Sequence, residues 1–121
     1  MMARILIADD DVALGEALGE ALSVQGHDVQ VVSDVEAAMA SVDREVFDIV
    51  LADVMMPGDG ATLPRRLQQI EPRPRVILMT GFDRPGVQSR AMADGAFKYL
   101  LKPIRLADLC AVVDLALTTP R

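Results

Sequence analysis

Short apolar runs that end on polar residues recur along the chain and predict five buried strands. They occupy residues 4–9, 29–32, 47–53, 76–80 and 97–101. The third run passes through Ile49, Val50 and Leu51 and stops on Asp53, where a turn rich in glycine and proline follows. Continuous apolar runs of this length, bounded by turn residues, are typical of parallel strands that are covered on both faces.

Between these strands, apolar residues recur every three or four positions and predict helices. The markers are Leu14 to Leu22 with Gly26 as C-terminal cap, Val35 to Val42, Leu63 to Ile70 with Pro64 in the first turn, a short segment from Val87 to Gly95, and Leu106 to Leu117. Strands that alternate with helices require a parallel sheet with right-handed crossovers. We therefore predict an α/β fold, a doubly wound (βα)5 sandwich with a five-stranded parallel sheet, and one domain over residues 1–121.

Composition and charge narrow the function. The chain is 51% hydrophobic with 3% aromatic residues, which argues against disorder. Its net charge of −6 argues against direct nucleic-acid binding by this domain. The single cysteine, Cys110, allows no internal disulfide, and no signal peptide or membrane-spanning run is present, so we expect a cytoplasmic protein with no membrane contact. We expect His27 to lie in a solvated loop and Cys110 to pack in the core.

The predicted strand ends bring acids and a lysine to one edge of the sheet. Asp9 and Asp10 follow the first strand, Asp53 ends the third, Thr80 the fourth, and Lys102 the fifth. Carboxylates this close repel one another unless a cation intervenes, and carboxylates with water and a phosphate oxygen suit Mg²⁺. Asp53 is the natural nucleophile towards phosphorus, because it alone ends the central strand. A metal ion and a lysine would neutralise the phosphoryl oxygens.

Alternative functions stay open at this point. Each of these residues alone is more often turn chemistry than a site, and Tyr99, the sole tyrosine, could simply pack. An FMN-binding site on the same fold needs a phosphate-binding loop, whereas the chain has Asp9-Asp10-Asp11. A phosphatase with an aspartyl intermediate needs a further acid as general base. A third alternative is a scaffold with the same fold that binds partners without phosphorylation.

The pattern resembles a receiver domain of two-component response regulators over essentially the whole chain. The matching pieces are Asp9-Asp10, Asp53 with Met56-Pro57 and Gly60, Thr80 before Gly81, and Lys102-Pro103. The resemblance implies the flavodoxin-like strand order 2-1-3-4-5 and a function as a phosphoacceptor rather than an enzyme.

The same resemblance implies roles for individual residues. Asp53 would accept a phosphoryl group, with Lys102 paired to it through a cis Lys102–Pro103 bond. Mg²⁺ would be bound by Asp10, Asp53, the carbonyl of Met55 and, through water, Asp9. Thr80 and Tyr99 would form the switch pair.

The resemblance also implies partners. The donor would be a sensor histidine kinase or phosphotransfer protein, and the output a downstream protein or a fused output domain. A homodimer through the fourth helix, fifth strand and fifth helix is a further option.

Two segments depart from the family pattern. The loop Pro57-Gly58-Asp59-Gly60 is one residue short, which puts its geometry in question. Residues 81–86 contain Pro85-Gly86 and predict a short or mobile fourth helix. Met55 and Phe82 are apolar where the family tunes phosphoryl lifetime, so we predict slow self-dephosphorylation.

Overall fold

The computed structural model describes residues 2–121, in which five strands alternate with five helices. In chain order these are β1 (Arg4–Ala8), α1 (Val12–Val24), β2 (Asp28–Val32), α2 (Val35–Arg44), β3 (Ile49–Asp53), α3 (Leu63–Arg66), β4 (Arg75–Thr80), α4 (Val87–Ala93), β5 (Lys98–Leu101) and α5 (Leu106–Thr118). None of the helices within 2–121 is long and apolar enough to cross a membrane.

The five strands form one parallel sheet in the order β2-β1-β3-β4-β5. This confirms the predicted fold class and strand order. All five residues of β3 are buried, and Asp53 at its end lies beside Met79 of β4. Because the strands run the same way, the residues that follow β1, β3, β4 and β5 meet at a single edge.

Two hydrophobic cores cover the faces of the sheet. Val50 and Ala52 of β3 face a core to which α2, residues 54–67, and Ala91 of α4 contribute. Ile49 and Leu51 face the opposite core, which α1 and α5 complete. Successive strand residues point to opposite faces, so a strand buried on both sides must be apolar at every position. That requirement explains why residues 49–52 of β3 are all apolar.

The third helix is shorter than the apolar spacing predicted. A single α-helical turn, Leu63–Arg66, is flanked by 3₁₀ turns at Gly60–Thr62 and Leu67–Gln69. Pro64 lies in the first turn of α3 and has no N–H to donate, and the chain must leave the helix before Pro72. The short fourth helix is as predicted, since α4 has seven residues between Gly86 and Gly95, both at positive φ.

The expectation of a solvated His27 is wrong. The residue is only 8% exposed, and its Nδ1 accepts a hydrogen bond of 3.1 Å from the backbone N–H of Ala3. The register pairs Arg4 with Asp28, so His27 lies beside the residue before β1 and satisfies a buried amide there. Cys110 is partly buried and packs against the core of α1 and α5, as expected.

Candidate functional site

Lys102 joins two buried carboxylates at the carboxyl edge of the sheet. Its Nζ lies 2.9 Å from Oδ2 of Asp9 and 2.9 Å from Oδ2 of Asp53. The side chain of Asp9 is 0% exposed and that of Asp53 is 8% exposed, so both charges depend on this ammonium group. Residues more than 40 positions apart thus form one ion-paired cluster.

Local turns hold the two carboxylates in place. Oδ1 of Asp9 accepts a hydrogen bond of 2.9 Å from the N–H of Asp11, and Oδ1 of Asp53 accepts one of 3.0 Å from the N–H of Met55. An aspartate that binds the amide two residues ahead forms an Asx turn. Each side chain therefore uses one oxygen to shape its turn and the other to bind Lys102.

A third carboxylate, that of Asp10, completes a group suited to a cation. One oxygen from each of Asp9, Asp10 and Asp53 lies within 4.8 Å of the others. Asp10 is exposed and, with Met55, lines an open cavity of about 280 Å³ beside the cluster. A few carboxylates next to solvent are what Mg²⁺ uses, because it retains several of its waters. The donor set fits this ion.

The pKa shifts follow from burial and pairing. Burial raises the pKa of Asp9 above its ordinary value, although the hydrogen bond from Lys102 opposes this shift. Burial alone would lower the pKa of Lys102, but its hydrogen bonds to Asp9 and Asp53 outweigh that effect and the net shift is upward. The lysine is therefore a permanent cation at neutral pH, and one cation cannot balance the charge of all three carboxylates.

Thr80 is fully buried at the end of β4, and its hydroxyl is engaged by its own loop. The hydroxyl donates to the carbonyl of Phe82 at 3.0 Å and accepts from the N–H of Phe82 at 3.1 Å. It makes no hydrogen bond to the acids among the residues described.

Tyr99 contacts the same loop from β5. Its hydroxyl lies 3.5 Å from Oδ1 of Asp83, and burial together with that carboxylate raises the pKa of Tyr99. The two residues of the predicted switch pair are thus both connected to the segment 81–86, through Phe82 and Asp83.

The short loop after Asp53 is tightly packed. Gly58 and Asp59 both have positive φ, at 92° and 62°. Gly60 donates to the carbonyl of Val54 at 3.0 Å, and the N–H of Val35 at the start of α2 donates to the carbonyl of Pro57 at 3.0 Å. The turn closes through two consecutive residues at positive φ, which glycine and aspartate tolerate best.

The comparisons with known proteins agree with this geometry. The family model of the response regulator receiver domain matches residues 5–114. The response regulator protein FleR of Pseudomonas aeruginosa is 39% identical over 93% of this chain, and the transcriptional regulator NtrC of Azospirillum brasilense is 36% identical over 97%. A CheY-like receiver domain protein from Methanospirillum hungatei superposes with a TM-score of 0.89 at 26% identity, covering 94% of this chain and 92% of that one.

The chain belongs to the response regulator receiver family. It corresponds to 24% of the length of FleR and 24% of that of NtrC, so it spans about a quarter of the length of these two relatives. As a receiver domain of two-component systems, it has the fold and family that the sequence predicted.

This receiver domain brings together four of the predicted site residues, Asp9, Asp10, Asp53 and Lys102. The Lys102–Pro103 peptide is cis, as the resemblance implied. Two contacts were not predicted from the sequence: that of Asp83 with the hydroxyl of Tyr99, and the close approach of Gly60 to the end of β3. The spacing Pro57-Gly58-Asp59-Gly60 was the available signal for the second, since a glycine is needed where backbones approach closely.

Proposed function

We propose that residues 1–121 are one receiver domain that accepts a phosphoryl group on Asp53 in a Mg²⁺-dependent reaction. The donor is the phosphohistidine of a sensor histidine kinase or a phosphotransfer protein. The observation that carries this proposal is the position of Lys102, whose ammonium lies 2.9 Å from both Asp9 and Asp53 in a group of three carboxylates. Such a group has the nucleophile and the cation that phosphoryl transfer needs in one place.

In the proposed transfer, a carboxylate oxygen of Asp53 attacks phosphorus. A phosphorus–oxygen bond forms, the phosphorus–nitrogen bond to the donor imidazole breaks, and the electron pair leaves with that nitrogen. Lys102 already donates a hydrogen bond to the carboxylate of Asp53. After transfer, its ammonium group can donate instead to a negatively charged oxygen of the phosphoryl group. Asp9 keeps this lysine in position from the other side.

Mg²⁺ would be held by Asp10 and Asp53, by Asp9 through water, and by the carbonyl of Met55. When bound, the ion neutralises acid charge and phosphoryl oxygens, so that an anionic donor can approach. The role of the Met55 carbonyl rests on the resemblance. The N–H of Met55 donates to the carboxylate of Asp53, and Met55 lines the same cavity as Asp10.

The contacts of Thr80 and Tyr99 with the loop of residues 81–86 support the proposed switch. A phosphoryl oxygen on Asp53 would compete with the backbone of Phe82 for the hydroxyl of Thr80. Because Tyr99 is tied to Asp83 in the same loop, movement of segment 81–86 would free the ring to turn inward. The face formed by α4, β5 and α5 would then change and engage the output, which is a downstream protein, a fused domain or a second copy.

The direct test is phosphorylation by a small acyl phosphate with Mg²⁺, followed by intact-mass measurement. The wild-type protein should gain one phosphoryl group, and EDTA should prevent the gain. Asp53→Asn should abolish it while the circular dichroism spectrum is unchanged. Asp43→Asn, which removes an exposed acid of α2, is the matched control and should label normally.

Two results would contradict the proposal. Labelling that persists in Asp53→Asn would place the acceptor on another residue. A wild-type protein that folds and binds Mg²⁺ but takes up no phosphoryl group would favour the scaffold that works without phosphorylation.

A further inference from the structure

A second charged site lies at the amino edge of the sheet, opposite the acids. Arg73 precedes β4, Arg75 is the first residue of β4, and Arg121 follows α5. The three side chains line a cavity of about 330 Å³, together with Pro74, residues 95–97 and residues 119–120. Within the described part of the chain, no acidic residue lines this cavity.

The fold forms the cavity from three segments. The N–H of Phe97 donates to the carbonyl of Val76 at 2.7 Å, which sets the loop before β5 against the start of β4. The guanidinium carbon of Arg75 lies 4.7 Å from the centre of the Phe97 ring. The guanidinium of Arg121 donates to the carbonyl of Arg73 and closes the third side.

These three arginines have no counter-ion among the residues that the structure describes. None of the three forms a salt bridge within residues 2–121, although the chain has 18 acids against 12 bases. One terminal nitrogen of Arg75 is buried and has no hydrogen-bond partner. Burial and the charge of Arg121 lower the pKa of Arg75. An anion in the cavity would supply the counter-charge that these guanidinium groups lack.

The chemistry of the lining selects the anion. Guanidinium groups bind phosphate oxygens through paired N–H donors, and several arginines around one cavity favour a polyvalent anion over a single carboxylate. The volume is at the lower end of the range of about 300–1,000 Å³ for small-molecule sites. Nucleic acid is disfavoured, because three charges in a recess on an acidic protein do not form an extended basic surface.

We propose that this cavity binds a small polyvalent phosphate anion, a phosphate or diphosphate group. Bound there, the anion would join the start of β4, the loop before β5 and the end of α5. Binding does not depend on phosphorylation of Asp53, since the two sites are at opposite edges of the sheet.

The test is a titration of the ¹⁵N-labelled protein with inorganic diphosphate, in EDTA and at constant ionic strength. Amide resonances of Gly95, Ala96, Phe97 and Thr119 should shift and saturate. Inorganic phosphate should bind more weakly, and acetate should not saturate. The double variant Arg73→Gln/Arg121→Gln should weaken diphosphate binding by about tenfold or more per arginine.

The control variant is Arg44→Gln/Arg65→Gln, which removes the same charge from exposed arginines elsewhere. It should bind diphosphate like the wild type. Arg73 and Arg121 are exposed, so their replacement should leave the amide spectrum of the rest of the protein unchanged. The proposal is overturned if the amide shifts fail to saturate, or if they occur only around Asp53, Thr80 and Lys102. It is also overturned if both double variants weaken diphosphate binding equally, or if acetate produces shifts as large as those with diphosphate.

Discussion

A β carbon at residue 60 would lie 1.8 Å from the carbonyl oxygen of Asp53. Gly60 therefore occupies a position where no side chain fits, against the backbone of the residue that we propose is phosphorylated. Gly58 is restricted as well, although less severely, since a β carbon there would lie 2.7 Å from Cβ of Val35. The loop of residues 57–60 is thus wedged between the end of β3 and the start of α2.

We predict that Gly60→Ala lowers the free energy of unfolding by about 3 kcal/mol, because only a shift of the backbone can relieve the overlap. Chemical denaturation measures this change. Gly81→Ala is the control, since a β carbon there would meet only Cβ of Lys102 at an ordinary 3.9 Å. Equal stability of the two variants would show that the loop is not wedged.

Magnesium should stabilise the protein through the acid cluster. At about ten times its Kd, a ligand that binds only the folded state adds about 1.4 kcal/mol, or roughly 5 °C in Tm for a domain of this size. Asp10→Asn should lose most of this increase, because it removes an exposed carboxylate of the acid cluster and leaves the contacts of Lys102 with Asp9 and Asp53 in place. Thermal unfolding with and without Mg²⁺ measures the effect.

The control for the magnesium prediction is Asp11→Asn. Asp11 caps α1 by accepting the N–H of Leu14, and asparagine caps equally well, so only charge is lost. A Tm increase that Asp10→Asn retains in full, or that Asp11→Asn loses as well, would show a diffuse ionic effect instead of a site.

The phosphoryl group, once on Asp53, should persist for minutes rather than seconds. Met55 and Phe82 follow Asp53 and Thr80 closely and expose 50% and 62% of their surfaces, so the rim of the site is apolar where water must enter. Phe82→Ala should shorten the lifetime several-fold, as measured by loss of phosphoprotein in intact-mass spectra. Val24→Ala, an exposed apolar change at the far end of α1, should leave the lifetime unchanged.

The fold and the acid edge could be predicted because they depend on periodicity and strand direction. Parallel strands bring Asp9, Asp53 and Lys102 to one edge whatever the side chains between them are. The partners of individual side chains could not be predicted in this way. The buried contact of His27 depends on strand register, and that of Thr80 with Phe82 depends on the path of a loop, and neither leaves a periodic signal in the sequence.

The third helix shows the same limit. Leu63 and Leu67 are both buried, as an amphipathic helix would place them, yet the backbone between Gly60 and Gln69 changes from 3₁₀ to α and back. Hydrophobic spacing reports which residues face the core. It does not report whether the backbone hydrogen bonds connect residues three apart, as in a 3₁₀ helix, or four apart, as in an α-helix. Pro64 also has no backbone N–H with which to form an α-helical hydrogen bond.

Tyr99 provides a direct spectroscopic test of the loop contact, because the chain has one tyrosine and no tryptophan. Burial and Asp83 raise its pKa in the folded state. The folded protein therefore holds the phenol proton more tightly than the unfolded chain, and this contribution to stability is complete below the ordinary tyrosine pKa of about 10 and is lost as pH rises through the folded value. Phenolate absorbance should titrate at higher pH in the native protein than in urea, and Asp83→Asn should lower the native midpoint.

The control is Asp108→Asn, which removes an exposed acid on α5 and should leave the midpoint in place. A native midpoint equal to that in urea would show that Tyr99 is not held by Asp83 in solution.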